Sequence, residues 1–315
     1  MTNILFISAN RIGDAILSTG LLRHVTETYP GANITVACGP LCVDMFAAVP
    51  GLRRILPLEK KSFNRHWLGL WRACATTRWD IIIDLRNSLV SRLLWCRRLY
   101  AHGETIPDAH KVAQNAAIMQ LVPPPDPKIW VTDAMQAEAR QLLGAAPTIA
   151  LGPAANWYPK QWPASHFAAL VQRLLAVPAL AEHRILVLAA AHEREQIMPV
   201  VDAIPPSRRL VLVGSSLALA GACLQRAELY VGNDSGLMHL AAAVGTPTLG
   251  LFGPGYEKTY GPWGRHTAVV RTPESTEELL GKLSHPGAKE PNLMESLAVE
   301  TVALAALQLL KNRKG

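Results

Sequence analysis

Short apolar runs of the β type alternate with helical sequence along most of the chain, and this alternation restricts the fold more than any other feature. A helical pattern from about Asp14 to Tyr29 follows the first run, after a turn that contains glycine. Alternating strands and helices predict a parallel sheet covered by helices. The runs of the first half are Ile4–Ser8, Ile34–Ala37, Arg54–Leu56 and Ile81–Leu85.

The second half repeats the alternation, after a proline-dense segment, VPPPDPKIW, at 122–130. Such a segment disfavours regular structure and marks the approach to a boundary. A chain of 315 residues also exceeds the usual size of one hydrophobic core. We predict two Rossmann-like α/β domains, 1–145 and 146–290, and a final amphipathic helix within 291–315 that packs on a core. The runs of the second half are Thr148–Leu151, Arg184–Ala189, Leu210–Val213, Glu228–Val231 and Thr246–Leu251.

Composition predicts a cytoplasmic protein with anionic partners. No apolar stretch approaches the roughly 20 residues of a membrane-spanning helix, and MTNILFISANRIGD lacks the basic region of a secretory signal. Five cysteines without CxxC spacing are expected to be reduced and mostly buried. The net charge of +7 suits a phosphorylated substrate, an acidic membrane surface or nucleic acid. The lack of a long basic block disfavours nucleic acid, whereas peripheral contact with the inner membrane stays open.

The segment from Arg86 to Arg98 contains four arginines and Trp95, and Tyr100 follows it. We interpret this segment as the polar rim of an amphipathic helix, with contact to a membrane surface or an anionic acceptor as the alternative.

Candidate site residues lie in the loops that follow the apolar runs, because ligands of open α/β sheets bind beyond the carboxyl ends of the strands. The first loop is SANRIGD, in which Gly13 permits a tight turn and Arg11 can hold an anionic acceptor or donor group. Asp14 lies near the helix start, where Asp is a preferred cap. A carboxylate there also suits the base that glycosyl transfer requires, so both roles are open.

Two loops of the second half suit a diphosphate. Lys160 is the only charge in GPAANWYPKQW, and a fixed ammonium there can stabilise a departing nucleoside diphosphate; a solvated lysine is the alternative. In VGNDSGLMHL a helix start with Ser235 can bind phosphate oxygens. Asp234 either caps this helix, shapes the loop or contacts the ligand, and His239 is either a phosphate donor or structural.

Weaker candidates follow two other strands: Gly214 and Ser215 for the nucleotide pocket, and Glu193 for ribose hydroxyls, although Glu is common in a first helical turn. The Walker A, GxGxxG and HExxH motifs are absent, which disfavours P-loop ATPases, common dehydrogenases and zinc proteases. The DxD triplet of many metal-dependent sugar transferases is also missing, so we expect neither a metal nor a cofactor.

Together these segments resemble the glycosyltransferase family 9 heptosyltransferases, which extend the lipopolysaccharide core from ADP-heptose. The resemblance spans nearly the whole chain. It implies the GT-B fold, with two Rossmann-like domains facing each other across a cleft, an acceptor domain first, a donor domain second, and a last helix that crosses back. Its segments are RIGDAILSTGLLRHVTETYPGANITV, PKQWP, VGNDSGLMHLAAAVGTPTLGLFGP and VETVALAALQLL.

The resemblance also implies an inverting, metal-independent transfer of a sugar from a nucleotide-sugar to a lipid-anchored glycan. It makes Asp14 the general base and Lys160 the lysine that contacts the diphosphate, with Glu193 as a ribose contact. The alternatives are a GT-B transferase or epimerase that uses a UDP-sugar, and a non-catalytic glycan-binding or membrane-surface protein. The residues that the resemblance places around the donor diphosphate are Ser235, Gly236, Leu237 and His239.

Overall fold

The computed structural model describes residues 1–60, 62, 65–101, 106–283 and 290–312. The chain forms two compact units, Met1–Thr132 and Asp133–Gly315. Each unit is a parallel sheet with helices, which confirms the predicted pair of α/β domains.

The first unit holds a five-stranded sheet in the order β3-β2-β1-β4-β5, with every pair parallel. Residues Ile4–Ile7 are fully buried, as expected for a central parallel strand. Its strands are β1 (Asn3–Ile7), β2 (Asn33–Cys38), β3 (Leu52–Pro57), β4 (Trp79–Asp84) and β5 (Cys96–Tyr100). Its helices are α1 (Ile12–Thr28), α2 (Arg65–Cys74), α3 (Leu89–Leu93) and α4 (Lys111–Ala117).

The second unit holds a six-stranded parallel sheet in the order β11-β10-β9-β6-β7-β8. Both orders are those of doubly wound sheets, in which the chain starts in the middle and winds outward in both directions. The strands are β6 (Thr148–Gly152), β7 (Arg184–Ala189), β8 (Arg209–Val213), β9 (Leu229–Asn233), β10 (Thr248–Phe252) and β11 (Thr267–Arg271). The helices are α5 (Asp133–Leu143), α6 (Ala164–Leu175), α7 (Arg194–Asp202), α8 (Leu217–Arg226), α9 (Gly236–Ala243), α10 (Glu257–Tyr260), α11 (Thr276–Leu280) and α12 (Val299–Asn312).

The units divide at Thr132, earlier than the predicted boundary at residue 145, because α5 packs against α8 of the second unit. The last helix, α12, packs on α6 and on β9, β10 and β11, and its buried residues join the core of the second unit. The expected docking of this helix on a core is therefore confirmed, while its crossing to the first domain stays a prediction. No helix of the described part of the chain is long and apolar enough to cross a membrane.

Each predicted strand is present within two residues of its predicted bounds, but the interpretation of the segment from Arg86 to Arg98 as one amphipathic helix is wrong. Only Leu89–Leu93 is helical there, and the chain then forms the edge strand β5. The edge position explains the error, since exposed arginines on β5 hide the alternation that marks a strand. The expectation for the cysteines is confirmed: all five are free, and all but Cys96 are buried.

Candidate active site

The candidate residues lie at the carboxyl ends of the central strands of each unit. In the first sheet the chain reverses its winding between β1 and β4, and in the second between β6 and β9. The crevice outside such a switch point is the usual ligand site of a doubly wound sheet. The loop with Asp14 follows β1, the loop with Lys160 follows β6, and Ser235 follows β9.

In the first unit, Asp14 lies in the first turn of α1 and is partly exposed. Arg11 is the N-cap residue, and no side chain caps this helix. The first backbone N–H groups of α1 and its positive dipole end therefore remain available to an anionic group near Arg11 and Gly13. Asp14 therefore does not cap this helix, which was the first of the two roles open to it.

The loop after β4 supplies a second arginine to this end of the sheet. The buried Asp84 carboxylate accepts hydrogen bonds from the backbone of Arg86 (2.9 Å) and from the backbone and hydroxyl of Ser88 (2.7 and 2.6 Å). Arg86 then reaches the loop after β1, where it donates to Asn10 Oδ1 at 3.1 Å. Its guanidinium lies 4.4 Å from the Trp67 ring centroid, and burial lowers its pKa.

Sequence reasoning missed this contribution of Arg86, since it assigned the residue to a helix rim. The signal that could have found it is its place directly after the predicted run Ile81–Leu85, at a strand end.

In the second unit, the buried side chain of Asn233 fixes the loop that carries Lys160. At the end of β9, its amide nitrogen donates to the Pro153 carbonyl at 2.8 Å, and its oxygen accepts from the Trp162 backbone at 3.0 Å. Lys160 itself ends a short 3₁₀ turn, Tyr158–Lys160. One side chain at the end of β9 thus holds both ends of this loop.

Further hydrogen bonds keep the rest of the loop in place. The buried Trp162 indole donates to the Leu297 carbonyl at 2.9 Å. Gln161 donates to the Ala155 carbonyl at 2.6 Å, and Asn292 donates to the Gln161 carbonyl at 2.7 Å. A loop so fixed holds the Lys160 ammonium with little loss of entropy on binding a ligand.

Lys160 and Asp234 form an ion pair across the β6/β9 switch point. The aspartate side chain is 9% exposed and the lysine side chain 28%. The Asp234 backbone donates to the Leu251 carbonyl at 3.2 Å, and a Cβ added to Gly255 would lie 2.7 Å from Asp234 Oδ2. The structure therefore shows Asp234 as the counter-ion of Lys160, and Ser235, one residue on, is the N-cap of α9.

Ser235 is the N-cap residue of α9, but its hydroxyl caps nothing. This oxygen is buried, caps no backbone group of the helix and lies beside the Tyr230 hydroxyl. The helix start at Gly236 thus offers backbone N–H groups and a hydroxyl beside the Lys160 ammonium, which are the donors that phosphate oxygens accept from. Leu237 follows in the first turn, and His239 is buried one turn inside.

Tyr230 is a neighbour that sequence reasoning missed. Burial raises the pKa of its phenol, an effect that the nearby Ser235 hydroxyl opposes. The Tyr230 hydroxyl lies over the ends of β6 and β9, where a Cβ on Gly152 or Gly232 would collide with it. A glycine at the end of each of two apolar runs, in ALG and YVG, is the signal that could have indicated a bulky group lying over them.

The weaker candidates lie at the ends of β7 and β8, on the same edge of the sheet. The buried Glu193 accepts from the Ala190 backbone at 2.8 Å, so part of its carboxylate has a structural role. Gly214 has a φ of 71° and packs against Ala191, which joins the two loops. Ser215 follows it, and ribose or base contacts by these residues stay predictions.

No group of three or more His, Cys, Asp and Glu side chains that could hold a metal ion occurs in the described ranges of the chain.

Comparison with known proteins identifies the family. The model of Glycosyltransferase family 9 (heptosyltransferase) matches residues 103–285, more than half of the chain. The lipooligosaccharide heptosyltransferase 2 of Haemophilus influenzae is 27% identical, with 98% of each chain covered.

Two solved structures share the fold. The Escherichia coli ADP-heptose lps heptosyltransferase II gives a TM-score of 0.74 at 21% identity, with both chains fully covered. The E. coli heptosyltransferase WaaC with ADP gives 0.75 at 17% identity, covering 98% of this chain and all of that one. The twin Rossmann-like units thus have the GT-B fold of these enzymes, and the chain is a glycosyltransferase that belongs to family 9, the heptosyltransferase family.

Proposed function

We propose that this enzyme transfers a heptosyl unit from ADP-heptose to a glycan of the lipopolysaccharide core. The Haemophilus relative is named for lipooligosaccharide heptose transfer, and the E. coli structures for ADP-heptose or ADP. The observation that carries the proposal is the Lys160–Asp234 pair at the β6/β9 switch point, directly before the N-cap Ser235 and the start of α9, where we propose that the diphosphate binds.

In the proposed mechanism, Asp14 accepts the proton of the acceptor hydroxyl as its oxygen attacks the anomeric carbon. The bond from this carbon to the diphosphate oxygen breaks at the opposite face, and ADP leaves with the electron pair. One displacement inverts the anomeric configuration. Lys160 and the N–H groups of α9 stabilise the charge that develops on the diphosphate, so no metal takes part.

The direct test is incubation with ADP-heptose, other ADP-sugars and UDP-sugars, with truncated core lipopolysaccharide as acceptor and mass spectrometry of the products. We expect a mass gain of one heptose from ADP-heptose alone. Transfer from a UDP-sugar instead, or UDP binding tighter than ADP binding in calorimetry, would support the UDP-sugar alternative. Binding of glycan without any transfer would support a non-catalytic role.

Asp14→Asn separates catalysis from donor binding. Loss of a general base lowers kcat by about 10²–10⁴-fold, while the affinity for ADP in calorimetry should stay the same. Asp133→Asn is the matched control, because Asp133 is an exposed aspartate in the first turn of α5. An Asp14→Asn enzyme with wild-type kcat would remove Asp14 from the mechanism.

A further inference from the structure

The outer side of α2 and α3 carries apolar side chains that no other described part of the chain covers. The inner sides of both helices pack on the first sheet: Leu70 and Cys74 of α2 share one buried cluster with Val90 and Leu94. The two helices also contact each other, so their outer sides form one surface. Its exposed apolar residues are Leu68, Trp71, Leu89, Leu93, Trp95 and Leu99, which lies on β5.

The degree of exposure is unusual for residues of this type. Leu89 and Trp95 are each 69% exposed, and Leu93 is 62% exposed. Isolated exposed leucines need no explanation, but a cluster of leucine and tryptophan on two adjoining helices marks an interaction surface. Tryptophan is the residue that favours the interface between water and lipid.

Arginines surround these apolar residues. Exposed arginines are present on α2, on α3, on β5 and in the turn before β4, where the Arg78 guanidinium lies 5.1 Å from the Trp95 ring centroid. These arginines are Arg65, Arg72, Arg78, Arg92 and Arg97, which shares the side of β5 that carries Leu99.

Acidic groups within residues 65–100 do not offset this charge. Between residues 65 and 100 the sequence has two, Asp80 and Asp84. Asp80 accepts from the Asn3 backbone at 2.8 Å, and Asp84 is buried in the loop after β4. The surface is therefore cationic as well as apolar, and we refer to it as the α2–α3 surface.

We propose that the α2–α3 surface binds a lipid bilayer with anionic headgroups. Arginines bind the headgroup phosphates while the leucines and Trp95 enter the boundary with the acyl chains, as on interfacial amphipathic helices. The inference deepens the proposed function, because an enzyme whose acceptor is lipid-anchored works at a bilayer. Vesicle binding is measured without donor or acceptor, so its failure is distinguishable from failure of heptose transfer.

The test is co-sedimentation of the full chain with vesicles of phosphatidylcholine and phosphatidylglycerol, against vesicles of phosphatidylcholine alone. We expect binding to the anionic vesicles that weakens as salt concentration rises. Each arginine near such a surface strengthens binding by about fivefold, so Arg72→Gln/Arg97→Gln should bind roughly 25-fold more weakly. Leu93→Ser/Trp95→Ser should weaken binding about tenfold or more.

The second unit supplies matched controls. Leu304→Ser changes a leucine that is 60% exposed on α12, and Arg265→Gln changes an exposed arginine; both should bind as the wild type does. Unchanged thermal unfolding and ADP affinity show that each variant is folded. The proposal is overturned by wild-type binding in both α2–α3 variants, by equal binding to uncharged vesicles, or by binding to single-stranded RNA in place of vesicles.

Discussion

Lys160 donates to the Asp234 carboxylate, so a diphosphate that binds this lysine must share or displace that contact. The ion pair holds the ammonium at the switch point. An anion must compete with the Asp234 carboxylate for this ammonium, so anions that bind weakly are disfavoured. Sequence reasoning singled out Lys160 and Ser235 as candidates because each lies in a strand-end loop. It could not find the pairing, since the two side chains are 74 residues apart and the order of the strands brings them together.

Lys160→Met tests the two roles of this lysine. Loss of a charge-assisted contact should weaken ADP binding by about tenfold to 100-fold. The free energy of unfolding should also fall by about 1–2 kcal/mol, because the nearly buried Asp234 loses its counter-ion. Calorimetry with ADP and urea unfolding measure these two effects.

The double variant Lys160→Met/Asp234→Asn distinguishes the effects, since it should regain stability but not ADP affinity. Lys282→Met is the control, because Lys282 forms an exposed ion pair with Glu274 in the same unit. ADP affinity that survives in Lys160→Met would rule out the diphosphate role.

At the scale of elements, the buried strands were predictable and the edge strands less so. A central strand such as β1 is a continuous apolar run, which has few alternatives to a buried strand. The edge strands β5 and β11 escaped prediction, because partly exposed strands lack that run. The proline-dense segment at 122–130 does mark the approach to the boundary, yet it also docks on α1, where the Lys128 backbone donates to Thr19 Oγ1 at 2.9 Å.

Gly20 allows the 122–130 segment to pack closely against α1. A Cβ at this position of α1 would collide with the carbonyl oxygen of Pro125, and a backbone group cannot rotate away. We expect Gly20→Ala to lower the free energy of unfolding by about 1–3 kcal/mol in urea titrations.

Gly69→Ala is the matched control in α2, where an added Cβ meets nothing within 4 Å. This change should raise stability by up to about 1 kcal/mol, the helix preference for alanine over glycine. If both substitutions changed the free energy of unfolding by the same amount, contact with the 122–130 segment would not restrict which side chain residue 20 can carry.

For the whole molecule, buried thiols make stability sensitive to alkaline pH. Burial raises the pKa of Cys38 and of Cys42 from 9.0 to about 12, with a further contribution from Asp44. Above about pH 9 the unfolded chain releases these protons while the folded chain keeps them. The free energy of unfolding should therefore fall between pH 9 and 12, by up to about 1.4 kcal/mol per pH unit and thiol.

Urea unfolding at a series of pH values checks this expectation. Cys38→Ala/Cys42→Ala should flatten the decline, whereas Cys96→Ala should leave most of it, because Cys96 is only partly buried. Part of the slope should persist in every cysteine variant, since burial also raises the pKa of Tyr230. If the free energy of unfolding fell as steeply with pH in the double variant as in the wild type, the decline would not come from these two thiols.

The outer strands of the first sheet, β3 and β5, each carry two adjacent, exposed arginines: Arg53 and Arg54 on β3, Arg97 and Arg98 on β5. A second copy that extended the sheet through the same strand would place these cations side by side. Charged edges of this kind block self-association through strand addition. We therefore expect these four side chains to oppose aggregation of the enzyme through the edges of its first sheet.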